Sequence, residues 1–433
     1  MAWVFASTAF AQLSNYLGPG ILTRGAGDIG TRSGQEVDLR FYVDVSGIYD
    51  NGIQPLAVDS KGNLVQVNGL YGTEALWGAY GVHQWRRAQL GLDYRGDYRY
   101  YANNSYFDGS DHFLTLGYTV QKSRRLYFDL TGIGGTLSQA IGAVPGVSFP
   151  LQTFTTQPTA LLFDNRTYFG EGGASATYLL SARTSVTAGG EGFVIRRQSN
   201  ELIGMNGYTL RGSLQHRMSR RTSVGAMYEH LHFDYPGAFG EATINTLEGM
   251  FATQFSPRWT FSASAGVYQA EVEGIQQVAV DPAVAAFLGV TQTSQTFYTK
   301  QTFPALGAHL SRQFKNASLN FDYTRYVTPG NGVYLTSRTE SGFVSLSYTG
   351  IRKFNFGISG GAYSYASVGQ DIQPYRQFTG GTGLTYALTH AIHFTARYDA
   401  RHQEINYAGF RTNSYRVALG LAFSPGTLPL SLW

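Results

Sequence analysis

Apolar and polar side chains take turns at every second position along most of this chain. One stretch sets Ala88, Leu90, Leu92, Tyr94, Gly96, Tyr98 and Tyr100 against Gln89, Gly91, Asp93, Arg95, Asp97 and Arg99. A second sets Ala317, Leu319, Phe321 and Tyr323 against Ser318, Asn320, Asp322 and Thr324. A third sets Ile392, Phe394, Ala396, Tyr398 and Ala400 against His393, Thr395, Arg397, Asp399 and Arg401. Successive side chains of an extended strand point to opposite sides, so a period of two predicts strands with one apolar and one polar face. A tilted strand needs about 9 to 11 such residues to cross a bilayer. In a soluble sandwich the apolar face is mostly aliphatic, whereas here Tyr and Phe recur toward the ends of the rows, where a membrane strand meets the headgroups.

The connections follow a rule of their own. Short links fall at residues 86–87, 122–125, 181–184, 219–221, 256–258, 315–316, 349–352 and 389–391, each between two alternating segments. Longer stretches, including residues 51–75, 138–165, 274–298 and 328–337, lie between them. Strands are predicted to start near Val37, Leu76, Ala88, His112, Leu126, Thr167, Ser185, Gly207, Thr222, Ile244, Trp259, Pro304, Ala317, Gly342, Phe354, Phe378, Ile392 and Tyr415. The alternation is weakest near Leu76, Thr222 and Pro304, which widens the count to a range of roughly 16 to 20. This is the pattern of an all-β fold: a closed antiparallel transmembrane β-barrel of about 18 strands over residues 36–423. An even count returns both chain ends to the short-link side, so residues 12–35 and the tail at 424–433 are expected in the periplasm.

Composition narrows the class further. The chain of 433 residues holds 53 Gly, 30 Tyr and 28 Phe with 14% charged residues and a mean hydropathy of −0.16, too polar for a helical membrane protein and too aromatic for a disordered one. Beyond the N-terminus the longest apolar run is residues 283–290, interrupted by Gly289 and far short of a helical span. Without Cys there is neither a disulfide nor a thiolate metal site. A net charge of +4 could point to nucleic acid, but Lys and Arg are spread in ones and twos with no basic stripe. At the N-terminus, Trp3-Val4-Phe5-Ala6 followed by Ala9-Phe10-Ala11 before Gln12 reads as the remnant of an export signal over residues 1–11.

In the last strand, Tyr415, Val417, Leu419, Leu421 and Phe423 alternate with Arg416, Ala418, Gly420 and Ala422. This resembles the C-terminal assembly signal that bacterial outer-membrane β-barrel proteins present to the barrel-insertion machinery, and the hairpin pattern of nearly the whole chain is similar to porin-like barrels. The resemblance implies a bacterial outer-membrane location and a passive channel for small hydrophilic solutes. Its partners would be outer-membrane lipid, the insertion machinery and the solute. In that family the final aromatic is usually the last residue; here Ser424 to Trp433 follow, so Phe423 and Trp433 are both candidates. A barrel component of an export or polysaccharide-secretion assembly and a structural barrel with an occluded lumen are the alternatives.

A barrel of this size leaves an aqueous lumen. The polar rows predict as pore-lining residues Asp93, Arg95, Asp97, Arg99, Glu171, Glu191, Arg211, Arg217, Arg397, Asp399 and Arg401, either as facing charges that bias passage or as cross-strand pairs that hold the wall. Inward Tyr42, Phe169, Phe193, Tyr268, Phe343 and Tyr363 would form a sugar-stacking track or, by the blander reading, pack over wall glycines such as Gly170, Gly189, Gly190 and Gly361. The outward row Gly170, Gly172, Ala174 and Ala176 is a candidate seam for a homo-oligomer. Asp281 and Pro282 ahead of an Ala-rich run predict a short helix in an outer loop, and the residues from Leu56 to Val67 predict a hairpin. Nothing in the sequence assembles a catalytic nucleophile and base, so no enzyme and no cofactor is expected. His230-x-His232 as a metal site and Asp108-Gly109-Ser110-Asp111 as a calcium loop rank below an interfacial pair and a turn.

Overall fold

The structure is a computed structural model that describes residues 37–51, 57–58, 64–65, 69–102, 105–138, 166–198, 203–236, 239–279, 292–329, 336–369, 374–405 and 410–424. Eighteen strands form one antiparallel sheet that closes on itself. Its first strand, Val37–Asn51, pairs on one side with Leu70–Gln84, from Val37↔His83 to Asp50↔Leu70. On the other side it pairs with the last strand, Phe410–Phe423, from Val43↔Phe423 to Asn51↔Tyr415. Every other strand pairs with its neighbours in sequence. Closure gives every strand a neighbour on both sides, which satisfies along the paired stretches the backbone groups that hydrocarbon could not.

All eighteen predicted strands are present, but their starts differ by end. After a short turn, the starts at Ala88, Leu126, Trp259, Ala317, Phe354 and Ile392 are those read from sequence. After a long loop Thr167 begins its strand as predicted, and the other strands begin earlier than predicted, at Leu70, Gly109, Met205, Gly240, Gln292, Thr336, Tyr375 and Phe410. The largest correction concerns residues 274–298, taken as a loop: Trp259–Ala279 and Gln292–Gln313 form one long hairpin in which Gly274↔Phe297 runs on to Ala279↔Gln292. The sequence pattern starts the second of these strands near Pro304, whereas it begins at Gln292. Pro304 lies just before the point where pairing with Ala317–Pro329 begins, at Leu306↔Arg325, so its missing amide falls where one strand edge has no partner. The predicted helix near Pro282 lies outside the described residues. The small outer hairpin is present as Ala57–Val58 paired with Leu64–Val65.

Four of the short turns share a construction. Ser123, Ser181 and Ser219 each accept, through the hydroxyl, the backbone N–H groups two and three residues on, at 3.0–3.2 Å. Thr389 does the same for Ala391 and Ile392. A hydroxyl closing the turn on its own chain leaves the intervening side chains in water. Arg86-Arg87 and Lys315-Asn316 are closed by backbone bonds from Trp85 to Ala88 and from Phe314 to Ala317, and at Arg352-Lys353 the residue Lys353 takes a φ of 63° to reverse the chain.

Candidate functional site

The wall has two unlike faces. Outward, Leu90, Leu116, Leu130, Val186, Leu419 and Leu421 are exposed. They are flanked toward the short turns by Trp85, Tyr178, Phe255, Phe314, Tyr386 and Phe423, and toward the loops by Tyr49, Tyr71, Tyr98, Tyr168, Tyr208 and Tyr398, again all exposed. Tyr168 and Tyr178 belong to one strand and bracket Gly170, Gly172, Ala174 and Ala176. Ten residues of tilted strand make about 25 Å, the height of an apolar band between two aromatic girdles. The inner face carries buried charges instead, among them Asp44, Asp50, Glu74, Arg99, Asp111, Glu171 and Arg416. A closed sheet that is apolar outside and charged inside matches a bilayer, not water, on its outer surface. The chain is a transmembrane β-barrel.

The inward charges form two groups. The larger spans the closure between the first and last strands. Arg416 donates Nε and Nη2 to both carboxylate oxygens of Asp50, at 2.6 and 2.8 Å, and Nη1 to Glu74 at 3.1 Å. Glu74 also accepts from Arg397 Nη2 at 2.9 Å, and Tyr101 donates its hydroxyl to Asp50 at 2.5 Å. Asp44 accepts from Ser46 and, at 2.7 Å, from Thr395. One strand further on, Arg99 pairs with Asp97 and Asp111, while Arg95 holds Asp93 through two bonds of 2.9 and 2.7 Å. Planar guanidinium groups suit this role because each can serve two carboxylates at fixed angles.

The smaller group centres on Arg211, which lies 3.0 Å from Glu229 and 3.7 Å from Glu191. Glu171 is buried two strands from Arg211, on the same inner face. Of the predicted lumen residues, Arg397 and Asp399 join the closure group at 3.1 Å from each other. Arg217 stands apart at the short-turn end, bonded to the Ala182 carbonyl. Arg401 shares their inward parity on the strand Ile392–Ile405.

Sequence reasoning missed Asp50, Glu74, Tyr101, Asp111, Glu229 and Arg416. Glu74 sat in a segment read as loop, and Arg416 was read only as a spacer between outward residues. A signal for Asp50 was present: Tyr42, Asp44, Ser46, Ile48 and Asp50 share one face of the first strand, and all five are buried.

The six inward aromatics are all buried, and four of them lie over a glycine that is their direct partner in register: Tyr42 over Gly78, Phe169 over Gly135, Phe193 over Gly207 and Phe343 over Gly361. Packing over glycine is therefore the arrangement, although only Gly361 of the glycines picked from sequence takes part. Gly170 and Gly190 face outward, where strand alternation puts them. His230 and His232 bond Asn245 and Thr243 beside the Tyr208 ring, on the outward face. Asp108 accepts the Tyr101 amide and Asp111 serves Arg99 and Ser138, so the loop's carboxylates are already engaged.

Toward the loop end the lumen turns apolar. Phe169, Ile195, Met205, Phe233, Tyr268 and Val327 belong to one buried cluster, with Phe297 and Phe303 packed against it. The Tyr235 hydroxyl lies 3.2 Å from Thr336 Oγ1, joining the walls on either side of the long hairpin. Arg338 stacks 5.6 Å over Phe303.

No family model matches this chain, and no curated protein matches it. Among solved structures, Pseudomonas aeruginosa OpdQ is 10% identical with a TM-score of 0.43, over 92% of this chain and 98% of that one. A BenF-like porin from Pseudomonas fluorescens Pf-5 is 10% identical with a TM-score of 0.43, over 90% and 98%. Pseudomonas aeruginosa OccK2, solved in complex with glucuronate, is also 10% identical, with a TM-score of 0.43 over 90% and 98%. Likeness of this degree assigns no solute.

Proposed function

We propose that this barrel is a porin-like channel of the bacterial outer membrane that lets small hydrophilic solutes diffuse through its lumen. The observation that carries the reading is the contrast between an apolar outer wall and an inner wall of paired charges. Asp93, Arg95, Asp97, Arg99, Glu171, Glu191, Arg211, Arg217, Arg397, Asp399 and Arg401 are the proposed lining. Most of these charges are held by ion pairs across or along the strands, so they supply a fixed transverse field with weak net preference for either ion sign. The apolar cluster at the loop end acts as the narrowest part of the path. Single-channel recording in planar bilayers tests this: discrete conductance steps are expected, and larger ones for Tyr268→Ala. A barrel that folds but passes no current would establish the occluded alternative.

The last strand serves as the assembly signal. Tyr415, Val417, Leu419, Leu421 and Phe423 point outward in alternation, and Phe423 pairs with both Val43 and Ile392. Its ring lies 6.3 Å from Phe41. Residues 425–433 fall outside the described residues.

A further inference from the structure

We propose that the short-turn rim is a binding surface for the phosphate headgroups of anionic phospholipids in the leaflet that surrounds it. The eight short turns are Trp85-Arg86-Arg87, Lys122-Ser123-Arg124-Arg125, Leu180-Ser181-Ala182-Arg183, Met218-Ser219-Arg220-Arg221, Pro257-Arg258, Phe314-Lys315-Asn316, Arg352-Lys353 and Leu388-Thr389-His390-Ala391. Seven carry Lys or Arg and none carries Asp or Glu, so the described turns of this rim have charge of one sign. Every one of those Lys and Arg side chains is exposed, and none enters an ion pair among the described residues. In the turns closed by Ser123, Ser181 and Ser219 the hydroxyl satisfies the backbone, which frees the arginines for an external partner.

The depth of these cations favours lipid over a dissolved anion. Exposed, outward Trp85, Leu180, Met218, Phe255, Phe314 and Ile351 lie at or within three residues of the cations. A side chain that enters the acyl region thus adjoins one that reaches the phosphate plane. Arg312 shows the same pairing within the wall, its guanidinium lying 4.6 Å from the Trp259 ring and 4.2 Å from the Phe314 ring. The loop end is mixed in sign, with Glu241 and Glu340 exposed on outward positions alongside exposed Arg196, Lys300, Arg376 and Arg411. Cations held at headgroup depth attract anionic lipid through an interaction that fades within a Debye length.

The inference rests on the transmembrane fold and not on the channel reading. Its test uses the full chain folded into mixed vesicles of phosphatidylcholine and phosphatidylglycerol, with one or the other lipid chain-brominated. Trp85 and Trp259 sit at this rim, so bromine quenching of tryptophan fluorescence reads which lipid lies beside it. Phosphatidylglycerol is expected to outcompete phosphatidylcholine about fivefold per site at 0.1 M salt, falling toward parity at 1 M. Replacing Arg86, Arg87, Arg124, Arg125, Arg220 and Arg221 by Gln removes half of the rim cations and should lower the preference at low salt, and Lys at the same positions should keep it. Heat-modifiable gel mobility confirms that each variant is folded. Parity in the unaltered protein, or an unchanged preference in the Gln variant, would overturn the proposal. So would a Gln variant that alters ion selectivity while its lipid preference stays intact, since the cations would then serve the aqueous mouth. Bilayer conductance reads the channel separately, so either idea can fail alone.

Discussion

A single residue's worth in this protein depends on which way its strand turns it. Leu130 is 47% exposed on the outer wall near mid-depth, and its neighbour Thr131 is exposed on the inner wall. Arg at a lipid-facing midplane position costs about 2 to 4 kcal/mol, whereas a lumen position has water to solvate it. Leu130→Arg is therefore expected to lower folding yield in vesicles while Thr131→Arg folds normally; equal yields would refute the assignment of faces. Lys353 offers a gain instead. Its φ of 63° strains a side chain with a Cβ, and Lys353→Gly should raise the urea midpoint by the equivalent of about 1 kcal/mol. Face assignment was legible in the sequence because parity survives any register. Partners were not: Arg416 and Asp50 lie at opposite ends of the chain and meet only because the barrel closes between their strands.

Strands and turns were legible to different degrees at their two ends. Starts after short turns were read to within one residue because lipid-facing alternation begins there at once. On the loop side the strands run past the bilayer, where neither face has to be apolar, and Gln292 and Thr336 begin segments with no alternation to betray them. The pairing of first and last strands is reinforced by the Asp50, Glu74, Arg397 and Arg416 group, with Arg416 only 5% exposed. Removing one member of a buried ion pair costs about 3 to 5 kcal/mol, because the other charge is left without its partner. Arg416→Leu should therefore make the folded gel band disappear at lower temperature, and adding Asp50→Asn should recover part of that loss; a double variant as damaged as the sum of the singles would argue against coupling. The last strand carries a separate prediction. Phe423→Ala should reduce assembly in cells, whereas truncation after Ser424 should leave it largely intact, both read by the folded band in outer-membrane fractions. The reverse ranking would make Trp433 the recognised aromatic.

At the level of the whole molecule, the eighteen strands follow one another around the wall without a crossover, and the first strand begins on the rim where the last one ends. Closure in the sequence pattern was visible only as an even count; the offset that pairs Val43, and not Val37, with Phe423 was not, since no hydrophobic period records it. That offset leaves residues 37–42 paired on one side only, with Leu70–Gln84. It also means that residue 37 and residue 423 are about six residues of strand apart, a gap that a linker of about eight residues would span. The polypeptide could then be circularly permuted: joined there and reopened between Ser123 and Arg124, it would keep every strand pairing. Such a permutant should refold from urea into vesicles with the usual gel shift, since the energetics of the wall do not depend on where the chain starts. In cells it should assemble poorly, because Tyr415 to Phe423 would no longer belong to the last strand made. Efficient assembly of the permutant in cells would show that the machinery reads the strand wherever it lies in the order of synthesis.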